Sequence, residues 1–133
     1  MALLTKQQIF AISDVQREVV KVPEWGGDVL VQGLTGRERD AYEATIITQR
    51  KGETKVNLIN ARSKLVALSV IDEQGNRLFD DMDVAQLGAK SAVALERVFD
   101  VARRLSGMSD EDMEELTTDL KAGTNGSSGS ISL

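Results

Sequence analysis

Residues 28–43 read DVLVQGLTGRERDAYE, and within these sixteen positions the sequence switches from the grammar of a strand to that of a helix. The run DVLVQ (28–32) is rich in valine and leucine, as is REVVKV (17–22) before it, and PEWGG (23–27) lies between them. Two short β-prone runs joined by proline and glycines predict a hairpin over about 17–32. Pro23 has no N–H to offer a ladder and so ends the first strand, and Gly26-Gly27 supplies the positive φ a tight connection needs. Thr35 and Glu38 then have the spacing of a capping box. The Thr35 hydroxyl accepts from the Glu38 amide, the Glu38 carboxylate accepts from the Thr35 amide, and a helix begins. A phosphate-binding loop would need more glycines and a lysine where Gly33 and Gly36 stand alone. That helix is expected over about 35–50, closed by the turn RKGETK. A hairpin alone is marginal in water, so it must pack on helices.

Working outward, Thr5 offers a cap for a short N-terminal helix carrying Ile9, Phe10 and Ile12. In KVNLINARSKLVALSVID (55–72), Leu58, Ala61, Leu65 and Leu68 repeat at helical spacing, which predicts a helix over about 56–70. The β-branched Val70 and Ile71 leave open a strand at its end, before the turn DEQGN. The stretch DDMDVAQLGAKSAVALERVFDVARRLSG holds the longest pattern, a helix over about 81–106 that Gly88 can interrupt. Leu95, Val98, Phe99, Ala102 and Leu105 form its core stripe, Arg97, Arg103 and Arg104 mostly its other face, and Gly107 its stop. SDEDMEELTTDLKAG suggests a last helix over about 109–121, with Ser109 as cap and acids in the first turn. TNGSSGSISL has the composition of a flexible tail, expected over 123–133. The expected fold is therefore α+β and mainly α-helical, with one N-terminal β-hairpin packed on four or five helices. A single domain spans 1–122.

The chain has neither cysteine nor histidine, which removes disulfides, thiolate and imidazole chemistry and the common zinc sites. No catalytic or metal residues and no cofactors are expected. The carboxylates of DEDMEE follow one another on an exposed helix and cannot converge on one substrate, and neither DEQGN nor DDMD has calcium-loop spacing. Residues 1–107 hold 15 basic and 15 acidic side chains, whereas 108–133 hold 1 and 6. A neutral body with an acidic end lacks the basic face that nucleic acid requires. A cationic or apolar protein partner fits better. No apolar run is long enough for a membrane span, and the start MALLTKQQIFAIS does not have the form of a signal peptide, so a cytoplasmic protein is expected.

Partner contacts have few candidates. Trp25, at the hairpin tip, suits either an anchor for a partner or a residue folded back on the helices. Arg37 and Arg39 project from the start of the 35–50 helix. Met113, Leu116 and Leu120 form a narrow apolar stripe that would ordinarily be core but suits detachable docking, being on an acidic terminal helix.

Three stretches, VPEWGGDVLVQGLTGRERDAYE, KLVALSVIDEQGNRLF and AQLGAKSAVALERVFDVARRLSGMS, together resemble the small tail assembly chaperones of long-tailed bacteriophages and prophages. The likeness runs from about Val15 to about Leu116 and lies in the order of the pieces. It implies a mainly helical α+β domain without enzymatic activity, acting in the bacterial host cytoplasm during virion assembly and absent from the mature virion. It further implies that the partners are the tape measure protein, which such chaperones coat and keep soluble, and the tail tube protein, whose subunits they help recruit. In many such phages a programmed frameshift extends the short form. Coating a long partner takes many copies, so self-association is expected as well. The alternative is a structural virion protein, a head-tail joining or tail component.

Overall fold

The computed structural model describes residues 2–50, 53–56 and 60–108. Their order is α1 (Lys6–Ala11), β1 (Arg17–Val22), a 3-10 turn (Pro23–Trp25), β2 (Gly27–Gln32), α2 (Gly36–Ile46), β3 (Ile47–Arg50), β4 (Glu53–Val56), α3 (Ala61–Ser69), β5 (Val70–Ile71), a second 3-10 turn (Asp81–Asp83), α4 (Val84–Gly88) and α5 (Ala92–Leu105). The fold is α+β and mainly helical, as the residue pattern implied. The expected helix over 109–121, with Met113, Leu116 and Leu120, and the 123–133 tail lie outside the described residues.

The hairpin is in place with a third strand added. β2 is central and pairs antiparallel with β1 on one side and β5 on the other. Its register explains the sheet's two faces, because directly opposed residues share a face. Val20 opposes Val29 and Val31 opposes Val70 on the inner face, where Val22, Val31 and Val70 are fully buried. Val19, Leu30 and Ile71 form a row across the outer face. Val19 is 61% exposed there, whereas Ile71 is buried beside the 72–77 turn that bridges back to it. Gly26 closes the hairpin at φ 75°, with its N–H donating to the Pro23 carbonyl at 3.0 Å.

The inner sheet face packs on α5, whose Ala94, Leu95, Val98, Phe99 and Ala102 are all buried. α3 covers a second side of the same helix with Leu65, Val66 and Ala67. α2 then contributes Tyr42 and Ile46, each about 1% exposed. Past the end of α5, Gly107 at φ 78° turns the chain, Met108 N–H donates to the Arg103 carbonyl at 2.9 Å, and the Met108 side chain is buried. Gly33 is required by close approach. A Cβ there would collide with the Leu105 carbonyl, and next to it Leu34 N–H donates to Ser106 Oγ at 2.9 Å.

Three helix boundaries depart from the expected ones. The helix expected to reach Arg50 ends at Ile46 and becomes β3, which pairs with β4 in a second hairpin with Ile47 opposite Val56. Helical spacing favoured continuation, but the β-branched run Ile46, Ile47, Thr48 is stiff at χ1 and prefers extended backbone. For the same reason Thr54 and Val56 lie in β4, so α3 starts at Ala61 rather than near 56, and Val70-Ile71 leaves it as β5. The 81–106 helix is divided. Asp80 caps the 3-10 turn through a 2.9 Å bond from Met82 N–H, α4 ends at Gly88, and Ser91 Oγ caps α5 by accepting from Ala94 N–H at 3.2 Å. The arginine face is divided too. Arg97 and Arg104 are exposed, but the Arg103 side chain is only 12% exposed and donates to the Met108 carbonyl.

Leu65 is fully buried on the α3 face that meets the core. Leu65→Ala should lower unfolding free energy by about 2–5 kcal/mol, read from the midpoint and slope of urea unfolding.

Candidate interaction surface

The stretch that starts α2 is built as a cap. Thr35 N–H donates to Glu38 Oε1 at 2.9 Å and Glu38 N–H donates to Thr35 Oγ1 at 3.2 Å, so two of the helix's free amides are satisfied by side chains. Arg37 projects into solvent. Arg39 turns back, with its guanidinium 3.5 Å from both the Gly107 carbonyl and the Glu43 carboxylate. It joins the start of α2 to the turn after α5. The capping spacing was visible in the sequence, whereas the Arg39 contact spans 68 positions and left no local signal.

Trp25 takes the inward of its two alternatives. It packs against the core from the 3-10 turn, and its indole Nε1 is buried without a hydrogen-bond partner among the described residues. Its neighbour Glu24 receives a forked contact from Arg97 on α5, at 3.0–3.2 Å. Those bonds hold the Glu24 carboxyl below the ordinary carboxylate range. Farther along the same side, Arg104 donates to both oxygens of Glu18 at 2.8 and 2.9 Å. The hairpin is thus fastened to α5 at both ends. Arg62 of α3 pairs with Glu96 and lies 5.6 Å over the Phe99 ring.

Two apolar surfaces are open instead, and neither was singled out by sequence reasoning. The first is the N-terminal arm. α1 has a complete capping box between Thr5 and Gln8, yet none of its side chains is buried among the described residues. Leu3 is 90% exposed and Phe10 80%, and Leu4, Ile9 and Ile12 are exposed as well. Periodicity identified the helix, but it cannot say whether an apolar side chain finds a neighbour. The second is a groove of about 490 Å³ between α2, α3 and the Asp81–Ala85 segment. Ala41, Tyr42, Leu68, Met82, Val84 and Ala85 line it, with Met82 89% exposed at the rim. These six come from four elements, so no short motif announces them.

Tyr42 forms the groove's floor. Its hydroxyl donates to the Ala61 carbonyl at 2.9 Å, joining α2 to the start of α3. Burial pushes its pKa up to about 12, because the phenolate would be cut off from water. Among the described residues no group of three or more carboxylates converges to hold a metal ion, and no helix is long and apolar enough to cross a membrane. Among the described residues the surface offers apolar contact and salt links.

The family model for phage tail assembly chaperones matches residues 5–118, most of the chain, and the chain belongs to that family. No curated protein and no solved structure matches it significantly.

Two measurements probe the cap and the groove floor. Thr35→Ala should cost about 1 kcal/mol of stability by denaturant unfolding while leaving partner binding unchanged; lost binding at unchanged stability would make Thr35 a contact residue. Tyr42 is the sole tyrosine, so absorbance near 295 nm follows its ionisation alone. Its folded pKa lies above the ordinary value of 10.0, so the stability it adds is complete below pH 10 and is lost as pH rises towards 12. Native protein should titrate near 12 and denatured protein near 10.

Proposed function

We propose that this chain is a non-enzymatic chaperone that binds the phage tape measure protein, keeps it soluble, and helps recruit tail tube subunits around it. The observation that carries this reading is family membership over residues 5–118. The surface supports it. A partner that is long, helical and prone to aggregate through apolar stripes is best held by exposed apolar side chains with few fixed hydrogen bonds, which bind without demanding one register. Phe10 and the residues around it present such a surface. Arg37 and the stripe of Met113, Leu116 and Leu120 are the further contact positions in this proposal. Trp25 and Arg39 would first have to leave the seams they occupy.

The protein acts in the host cytoplasm and leaves before the tail matures. A longer product made by programmed frameshifting would carry the tube-recruiting part, and a slippery heptanucleotide near the end of the coding DNA is its expected sign. A structural virion role is the competing reading. Tube subunits extend sheets between copies, and only a three-stranded and a two-stranded sheet stand here among mostly helical described residues.

Co-expression with the tape measure protein of the same phage should move it from the pellet to the soluble fraction and allow the two to be purified together. Purified virions should lack the chain. A tape measure that stays insoluble argues against the chaperone, and stoichiometric recovery in virions establishes the structural role instead.

A further inference from the structure

The described residues finish at Met108, beside α2: the Gly107 carbonyl lies 3.5 Å from the Arg39 guanidinium. On the same helix Ala41 and Thr45, four residues apart and both exposed, form one wall of the apolar groove of about 490 Å³. Past Met108 the sequence continues as SDEDMEELTTDLK over 109–121, with Met113, Leu116 and Leu120 at helical spacing. Met113 is five residues beyond Met108, a reach of up to about 17 Å, whereas a helix is only about 10 Å across. The segment can therefore cross α2 and arrive over Ala41.

The groove's charge suits the same segment. Lys64 and Asp81 are the charged residues that line it, and Asp81 is already paired with Arg77 at 3.2 Å. Among the described residues no ion pair takes Lys64, so its ammonium stands in a mostly apolar groove without a carboxylate. At about 100° per residue of helix, Asp112 and Asp119 border the Met113, Leu116 and Leu120 stripe on one side and Asp110 and Glu114 on the other. A carboxylate is thus at hand for Lys64 whichever way the segment runs. Being tethered, the segment also competes at an effective concentration near the millimolar range.

We propose that residues 109–121 fold back on the groove of their own chain, setting Met113, Leu116 and Leu120 against Ala41, Tyr42 and Leu68 and pairing one of their acids with Lys64. The groove is then closed in the free chain. An apolar partner helix reaches it only by displacing the segment, which frees the Met113 stripe at the same moment. That consequence rests on the chaperone reading, whereas the fold-back needs only this chain.

The chain has no cysteine, so an introduced pair is its only pair. The full chain carrying Ala41→Cys and Leu116→Cys, treated with oxidised glutathione, should close a disulfide within one copy, seen as a faster single-copy band on a non-reducing gel. Val93→Cys with Leu116→Cys puts the first thiol at an exposed position in the first turn of α5, outside the groove, and should close about tenfold more slowly. In the cysteine-free chain, Ala41→Glu fills the groove and repels the segment, and Lys64→Glu turns attraction into repulsion. Each should speed cleavage by Glu-C protease after Glu114 and Glu115 about tenfold, because cutting follows the open population, while Trp25 emission stays unchanged. Three results overturn the proposal: cysteines that bond only between copies, which would give the groove to a second chain; a control pair that closes as fast as the groove pair; or variants cleaved at the wild-type rate.

Discussion

α5 is enclosed by two different surfaces, and the fold depends on both closing on it. Val98 and Ala102 are fully buried between the inner sheet face and α3, so the helix has no solvent-facing option for its stripe. Burial of side chains such as Leu95, Val98 and Phe99 contributes about 1.5–3 kcal/mol each by transfer bookkeeping, and they share one core with Val22 and Val31 of the sheet and Leu65 of α3. The sheet depends on it too. A three-stranded sheet whose third strand has two residues gains its order from the surface beneath it.

Around that seam the polar contacts decide position more than stability. Glu24–Arg97 and Glu18–Arg104 are both largely exposed pairs, and such pairs contribute little on average. Their value is geometric, because they lie at opposite ends of the hairpin and set how it lies along α5. The close approach of Gly33 to the Leu105 carbonyl adds a steric constraint at the same seam. With Leu34 bonded to Ser106 and Arg39 reaching the Gly107 carbonyl, the start of α2 and the end of α5 are fixed together.

How much was legible in the sequence follows the range of each interaction. The Thr35 cap, the 17–32 hairpin, the Gly107 stop and the α5 stripe are local patterns, and each corresponds to a described feature. The 47–56 hairpin was missed because Ile46-Ile47-Thr48 satisfies helical spacing and strand propensity at once, and pairing with β4 decides between them. The surface was harder to read. Trp25 looked equally suited to a partner and to the core, and only the position of α5 beneath the hairpin tip distinguishes the two. Ile9 and Phe10 were readable as helix, but exposure is a property of the assembled chain. The groove, with walls from four elements, had no representation in any one stretch.

The position of Trp25 has an optical consequence. It is the sole tryptophan and sits where the hairpin tip meets the core, with its indole N–H shielded from solvent. Its emission therefore reports the separation of hairpin from helix and is blind to the arm and the groove. A red shift that preceded the loss of helical signal would show the sheet peeling away while the helices stayed together. Coincident changes would mark the two as one cooperative unit.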